Sequence, residues 1–534
     1  MRQHWVQVIF LLGALLPAAN PALAENNGLA LTPPMGWNSW NRFGCSVTED
    51  TVKAAADALV SSGLREQGYQ YVTVDDCWMA PGRDAKGNLV NDPTRFPGGI
   101  KALADYVHRK GLKFGLYESP TQGTCQLRAG SYGHETQDAS TFAAWGVDYL
   151  KYDWCQDGSS QSPQMWADFS GRTEQDVAQT LFSRMSGALQ ATGRPIAYSL
   201  SACCVALNFP SWAGNVSNSW RTSGDINDSW SSMVYQYQVA IGLQASTGPG
   251  GWSDPDMLEV GNGGMSDTEY RTHFSLWAML AAPLNLGNDL ATMTDATRAI
   301  IGNAAVIAID QDALGVAARR VASSGDTEVL SRPLANGDRA VALLNKGGSA
   351  TTLTTNLTSV GLPASAATLT DLWSGAVTQT DAAISAMVPA HGTALYRVHS
   401  PAAPAAGATE YIGVASGRCL DVNGGYPNDG TNLIIWDCHG SPGEQFAATG
   451  GTLRAFNGEK CVRPAGGGLT NATLLEIGAC TGSTDQRFTR GTDGTLHHTA
   501  SGLCVDVNGA ATAAGTSVML WSCHGGSNQQ WARQ

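Results

Sequence analysis

Tyr149-Leu150-Lys151-Tyr152-Asp153-Trp154-Cys155 carries an apolar, β-prone run that starts at Val147 and breaks into an acid followed by Trp and Cys. A short buried strand that ends on a polar residue hands that side chain to a cleft. Asp153 is therefore the first candidate for a reacting group. Taken alone, an acid opening an ordinary turn has the same local signature.

Working outward, the run is one beat of a regular rhythm. Strand-like stretches at 35–40, 69–75, 113–117, 147–152, 195–200 and 219–222 alternate with helix-like stretches at 48–66, 99–110, 136–145, 174–191 and 228–243. Two further strand-like stretches, 245–251 and 279–286, bring the count close to eight. Alternation of this kind means parallel strands, and the count and length favour a closed (β/α)8 TIM barrel, an α/β fold, over an open doubly wound sheet. Polar and aromatic residues follow the strands: Trp40, Asp75 and Asp76, Tyr117 and Glu118, Asp153, Arg221 and Asp225, Asp254 and Asp256. In a barrel these strand ends converge on one face, where active sites lie.

The chain has 534 residues, 14% of them charged, with 62 Gly, 16 Trp and a net charge of −13. Such an acidic chain is a poor partner for nucleic acid or an anionic membrane surface, and uncharged, hydroxyl-rich ligands such as sugars fit it better. Residues 1–24 have the pattern of a secretory signal peptide: Arg2, an apolar run over 6–17, and Ala22-Leu23-Ala24 as the cleavage site. The run is too short to span a bilayer. A secreted, extracellular or periplasmic protein follows, in which twelve cysteines can form disulfides. The expected domains are a catalytic barrel over 25–315, an antiparallel β-sandwich domain over 316–398, a Pro/Ala linker over 399–408 and a third domain over 409–534.

That third domain contains an internal repeat. Gly417-Arg418-Cys419-Leu420-Asp421-Val422 with Ile435-Trp436-Asp437-Cys438 recurs as Gly502-Leu503-Cys504-Val505-Asp506-Val507 with Leu520-Trp521-Ser522-Cys523. Lys460-Cys461-Val462 with Ala479-Cys480 is a weaker middle copy. Three copies, closing on Gln445-Phe446, Gln486-Arg487-Phe488 and Gln529-Gln530-Trp531, predict a threefold β-trefoil. It resembles the ricin-type carbohydrate-binding modules.

In the barrel, Asp153 and Asp225 stand out as a pair. Asp225 lies in Trp220-Arg221-Thr222-Ser223-Gly224-Asp225-Ile226, a strand end with a glycine-loosened turn and a neighbouring cation. Glycoside hydrolysis uses two carboxyls, one ionised to attack and one protonated to assist the leaving group. Ion pairing with Lys151 or Arg221 is the structural alternative. Asp75-Asp76 before Cys77 raises a metal site, but no histidine spacing suits zinc and no loop suits calcium. No phosphate-binding glycine loop or serine nucleophile elbow is present, and no cofactor or metal is expected. His108 and His134 are read as structural or surface residues.

Leu31-Thr32-Pro33-Pro34-Met35-Gly36-Trp37-Asn38-Ser39-Trp40, Asp75-Asp76-Cys77-Trp78, Tyr149 to Asp153, Trp220 to Ile226 and Gly248-Pro249-Gly250-Gly251-Trp252-Ser253-Asp254-Pro255-Asp256-Met257-Leu258 together resemble glycoside hydrolase family 27, the α-galactosidase family. The resemblance implies a retaining double displacement on terminal α-D-galactosyl residues, with Asp153 as nucleophile and Asp225 as general acid/base. It places Asp75 and Asp76 on the 4- and 6-hydroxyls of galactose and Trp40 under its apolar face. Tyr117 and Lys151 would line the pocket, and Arg221 and Asp256 would sit around the 2-hydroxyl and the acid. It further implies disulfides Cys45–Cys77 and Cys125–Cys155, and the cysteine pair of each trefoil copy would give Cys419–Cys438, Cys461–Cys480 and Cys504–Cys523. Cys203 and Cys204 are left over, with a vicinal disulfide, free thiols and an intermolecular bond all open.

The chain departs from the family in two places. Where α-galactosidases carry Cys-Glu-Trp after the fifth strand, Ser201-Ala202-Cys203 stands here, and small residues there resemble the α-N-acetylgalactosaminidase branch. Glu118-Ser119 follows Tyr117 where an Asp is usual. β-L-Arabinopyranosides are a third substrate class open to the family. A lectin with an inactive barrel is the alternative of a different kind. By resemblance to ricin-type modules, the third lobe of the trefoil has a full sugar-binding set in Asp506, Trp521 and Asn528. The first has Asp421 and Trp436 but Gly443-Glu444 near its close, and the middle lobe has Arg463 and Ala479 in place of the Asp and the aromatic. The expected partner is a galactose-containing oligo- or polysaccharide, with no nucleic acid and no membrane. Oligomeric state does not follow from the sequence.

Overall fold

A computed structural model describes residues 27–155, 162–202, 207–362, 366–400, 408–425, 428–438, 441–456, 458–491 and 493–533. The expected leader, Cys203 and Cys204, and residues 401–407 of the expected linker lie outside the described residues.

Eight parallel strands form one sheet: β1 (Met35–Asn38), β2 (Tyr71–Val74), β3 (Lys113–Glu118), β4 (Tyr149–Trp154), β5 (Ala197–Ala202), β6 (Ser219–Arg221), β7 (Trp252–Asp254) and β8 (Leu284–Leu286). Each strand pairs with the next from β1 to β7, and β8 returns to β1. The seam between β7 and β8 is closed by Leu258, which bridges Leu286: its amide donates to the Asn285 carbonyl, and the Gly287 amide donates to its own. The curled sheet is thus a (β/α)8 barrel. Several of its helices begin on hydroxyl caps, among them Thr48 at Glu49–Ser61, Thr173 at Glu174–Ala191 and Ser229 at Trp230–Ala240.

Side chains alternate across each strand. In β4, Leu150, Tyr152 and Trp154 pack outward with Phe182 of the covering helix, at ring distances of 5.8 Å from Tyr152 and 6.2 Å from Trp154. Lys151 and Asp153 face inward. The strand runs one residue past Asp153, so the acid is fixed by the ladder itself, opposite Ser201 of β5.

The last two strands differ from the sequence reading. Residues 245–251 hold a 3-10 turn (Gln244–Ser246) and a tight loop, since Pro249 has no amide to donate and Gly250 adopts φ 90. The strand starts only at Trp252. Met279 belongs to the helix Asp267–Leu280, opened by a Ser266–Glu269 capping box, and β8 begins after Pro283. This helix is buried on nearly every side, so its sequence lacks the one-faced apolar stripe that marks a surface helix.

What buries it is the second domain. A six-stranded antiparallel sheet presents Ala340, Ala342 and Leu344 of strand Arg339–Asn345 to the barrel core and Val341 and Leu343 to a second core. A two-stranded sheet, Thr351–Asn356 with Ala383–Val388, lines the other side of that second core. The third domain has a core of repeated triads: Leu420, Val422 and Ile435; Val462, Leu475 and Ile477; Val505, Val507 and Leu520. Phe446, Phe488 and Trp531 close its three lobes, as in a β-trefoil. Buried Glu410 at the start of the trefoil meets Arg319 of the sandwich at 3.4 Å.

Candidate active site

Trp40, Asp75, Asp76, Tyr117, Lys151, Asp153, Arg221, Asp225 and Asp256 line one cavity of about 180 Å³ at the carboxyl ends of the barrel strands. Asn41, Cys125, Gln126, Ile226 and Met257 complete its wall. The nine barrel residues expected to react with or bind the sugar are thus brought together.

One wall is the acid pair after β2. Asp75 accepts from the Asp76 amide on Oδ1 at 2.9 Å, and from Asn38 Nδ2 and Lys151 Nζ on Oδ2 at 2.7 and 2.8 Å. Asp76 accepts from the Cys77 amide and Thr124 Oγ1 on Oδ1 at 2.6 and 2.9 Å, and from the Gln126 amide on Oδ2 at 2.9 Å. Of the roughly four acceptor sites a carboxylate offers, three are taken on each. Burial pushes the Asp76 carboxyl up to about 6, against the pull of those donors. Cys77 holds a left-handed backbone, φ 74, as does Asp256, φ 83. Such conformations cost of order 1–3 kcal/mol in non-glycine residues and cluster at functional sites.

The floor is Asp153, only 7% exposed. Tyr117 donates its hydroxyl to Oδ2 at 3.1 Å, while Oδ1 is buried with no donor among the described residues. Burial raises the Asp153 carboxyl above the ordinary range, and the nearby charges of Lys151 and Arg221 oppose that rise. Burial works against the charge on Lys151, but Asp75 and Asp153 outweigh it and hold it cationic. Burial, with the acids around it, keeps Tyr117 a neutral donor. The Cys125–Cys155 disulfide ties the loop after β3 to the end of β4, beside Asp153. Cys45–Cys77 fixes the turn after Asp76.

Across the cavity, Arg221 of β6 bonds Asp225 Oδ1 at 2.8 Å and Asp256 Oδ2 at 3.0 Å, and its Nη1 donates to Ser201 Oγ at 3.4 Å. Asp256 also accepts the Ile226 amide at 2.8 Å, so it anchors the loop that carries Asp225. The Asp225 side chain is 56% exposed. Partial burial raises its carboxyl, but Arg221 wins and holds it below the ordinary range.

Two residues expected at the mouth are elsewhere. Glu118 alternates outward from β3 into the helix layer, where burial pushes its carboxyl well up, near Asp138 and Arg83. Asp254 sits under the cavity with Tyr149, Ser199 and Ser201, and burial brings it to about 6. Ala202 packs outward in the core, so of Ser201 and Ala202 only Ser201 faces inward. The sequence reading missed Asn41, Gln126 and Met257 as lining residues. Asn41 and Met257 adjoin predicted residues; Gln126 follows a predicted disulfide cysteine. Buried Glu259, pushed to about 7 by burial, accepts from Asn41 behind Trp40. His108 pairs with Asp148 at 2.7 Å, and His134 precedes the helix Glu135–Trp145. Among the described residues, each three-donor cluster of His, Cys and carboxylate contains a disulfide pair, whose sulfurs are not thiolates.

In the trefoil, Asp506 Oδ2 accepts from Asn528 Nδ2 at 3.0 Å and Gln529 Nε2 at 2.7 Å, with Trp521 37% exposed nearby in the same lobe. In the first lobe Trp436 is 43% exposed and Asp421 is buried, but the closing Gln445 donates to Glu410. In the middle lobe Arg463 pairs with Glu476 at 3.0 Å. Cys419–Cys438, Cys461–Cys480 and Cys504–Cys523 are each bonded. No helix among the described residues is long and apolar enough to cross a membrane.

Residues 32–312 match the family model described as alpha galactosidase A, residues 324–398 the alpha galactosidase C-terminal beta sandwich domain, and residues 408–532 the ricin-type beta-trefoil lectin domain. An alpha-galactosidase of Oryza sativa subsp. japonica is 46% identical over 376 residues, 70% of this chain and 86% of its own. The crystal structure of alpha-galactosidase I from Mortierella vinacea superposes with a TM-score of 0.66 at 39% identity, over 71% of this chain and 99% of that one. A β-L-arabinopyranosidase of Geobacillus stearothermophilus superposes at 0.61 and 26% identity, over 70% and 97%. With its barrel matched end to end and its acids gathered in one cavity, the chain belongs to the alpha galactosidase A family of glycoside hydrolases.

Proposed function

We propose that the protein is a secreted, retaining exo-α-galactosidase whose trefoil holds it on galactose-containing polysaccharide. The observation that carries the reading is Asp153 Oδ1: a buried carboxylate oxygen with no donor among the described residues, its charge favoured by Lys151 and Arg221 against its burial, in the same cavity as a second carboxyl. That oxygen attacks the anomeric carbon as the glycosidic bond breaks, giving a glycosyl ester with Asp153. Asp225 protonates the departing oxygen and then, as a base, takes a proton from the water that cleaves the ester.

Asp225 in the free protein is held as a carboxylate by Arg221, which is the state the second step needs. A sugar seated over it removes the water that solvates its exposed side and raises its proton affinity, which favours the first step. Asp75 and Asp76 each keep one acceptor site for a sugar hydroxyl, and acceptors placed this way reject a sugar lacking the matching hydroxyl far more strongly than an apolar pocket would. This favours galactose, with its 4- and 6-hydroxyls, over β-L-arabinopyranose, which has no hydroxymethyl group.

The test is hydrolysis by the purified protein of p-nitrophenyl α-D-galactoside, α-D-N-acetylgalactosaminide and β-L-arabinopyranoside, with the first-formed anomer read by NMR. The galactoside is expected to be cleaved with the highest kcat/KM and to release α-galactose first. Faster cleavage of either other glycoside overturns the sugar assignment, and β-galactose as first product overturns the double displacement. No hydrolysis of any of them leaves a lectin with an inactive barrel.

A further inference from the structure

We propose that Thr124 is a positioning residue for sugar binding, orienting the Asp76 carboxylate so that its one open acceptor site faces the cavity. The inference rests on the galactosidase reading above, in which Asp76 accepts a sugar hydroxyl.

Thr124 is fully buried in the loop after β3 and lies outside the cavity lining. Its Oγ1 accepts the Arg128 amide at 3.1 Å, which leaves its own proton to be donated, and the acceptor within reach is Asp76 Oδ1 at 2.9 Å. The hydroxyl is thus aimed by its own backbone turn. That turn is tight: the Thr124 amide donates to the Arg128 carbonyl at 2.9 Å, and the Leu127 amide to the Thr124 carbonyl at 2.8 Å. Cys125 is tethered to Cys155, and Arg83 clamps the far end of the loop through the Gly130 carbonyl at 2.7 Å while gripping Asp138 with both nitrogens.

Among the described residues Asp76 has no cation of its own, since Lys151 is bonded to Asp75. Its orientation therefore depends on three neutral donors, of which Thr124 supplies the only side chain. Without the hydroxyl, Oδ1 keeps the Cys77 amide alone and the carboxylate can turn about its last bond. The ionisable groups facing Asp76 are Asp75, Tyr117 and Glu118, with Lys151 behind Asp75. None of them replaces a lost donor. Burial already raises this carboxyl, and the Thr124 hydroxyl opposes that rise, so its removal moves ionisation to higher pH.

The experiment compares wild type, Thr124→Val and Thr124→Ser on p-nitrophenyl α-galactoside from pH 4 to 8, with galactose binding by calorimetry. Thr124→Val, nearly the same shape without the hydroxyl, is expected to raise KM and the galactose Kd about tenfold, to change kcat less than about threefold, and to move the acid limb of kcat/KM up by about one pH unit. Thr124→Ser restores all three. Thr124→Ala serves the same purpose should the valine variant not accumulate. In an Asp76→Asn background the valine substitution is expected to change the galactose Kd less than twofold. A wild-type KM and acid limb in Thr124→Val overturns the proposal. So does Thr124→Ser as impaired as the valine variant, or a full tenfold loss in the Asp76→Asn background. A wild type inactive on the galactoside sinks the galactosidase reading instead.

Discussion

Lys151→Met is the substitution whose cost can be worked furthest. The ammonium lies 2.8 Å from Asp75 Oδ2, with both side chains largely buried, and it is also the leading counterweight to the burial of Asp153. Methionine keeps the length of the stem and removes the charge. Breaking a buried ion pair by deleting one partner costs about 3–5 kcal/mol, because the other charge stays behind in low dielectric. For a domain of this size that is a fall in Tm of roughly 6–10 °C.

The loss has a defined pH dependence. Burial already raises Asp153 above the ordinary carboxylate range, and removal of the lysine raises it further. A carboxyl that is harder to ionise folded than unfolded costs stability where it must ionise, above its folded pKa. The cost disappears as pH falls below the unfolded value of about 3.9. Calorimetric Tm of wild type and variant from pH 4.5 to 7.5 should therefore show a deficit largest near neutrality and shrinking on acidification, while the acid limb of kcat/KM moves to higher pH. A deficit under 2 °C, or one that grows as pH falls, would refute the electrostatic account of this wall.

Asp153→Ala is expected to lower kcat/KM at least about 10⁴-fold, and added azide should then yield β-galactosyl azide, detected by mass and NMR. Asp225→Asn should cost about 10²–10⁴-fold on melibiose and much less on p-nitrophenyl α-galactoside, whose leaving group needs little protonation; equal losses on both would count against the acid role. For the trefoil, Trp521→Ala should abolish most retention on immobilised galactan in affinity electrophoresis and Trp436→Ala a smaller part, with unchanged activity on small substrates. Unaltered retention in the double variant would remove the sugar-binding role.

How much of this was legible in the sequence depends on how locally each feature is encoded. β4 was readable because its buried run and its acid lie within seven residues, and the trefoil because its cysteine and Trp spacings repeat. β7 and β8 were misplaced because their three-residue ladders are set by partners rather than by composition, and because the sandwich hides the polar side that the helix Asp267–Leu280 would otherwise need. Glu118 shows the limit at the site. A strand-end acid can face either layer, and only the register beside Lys151 and Tyr152 of β4 decides which. Thr124 carries no sequence signal at all, since its role comes from a loop folding back over Asp76 from 48 residues away.

The disulfides carry a consequence for how the chain is made. Their partners are separated by 32, 30, 19, 19 and 19 residues, and none of the five joins one domain to another. The two barrel pairs can therefore close before either later domain has been synthesised, and neither waits for a cysteine of another domain. The two crosslinks beside the acids can be in place while the trefoil is still being translated. An insertion, loss or exchange of that last domain would leave the chemistry of the first untouched.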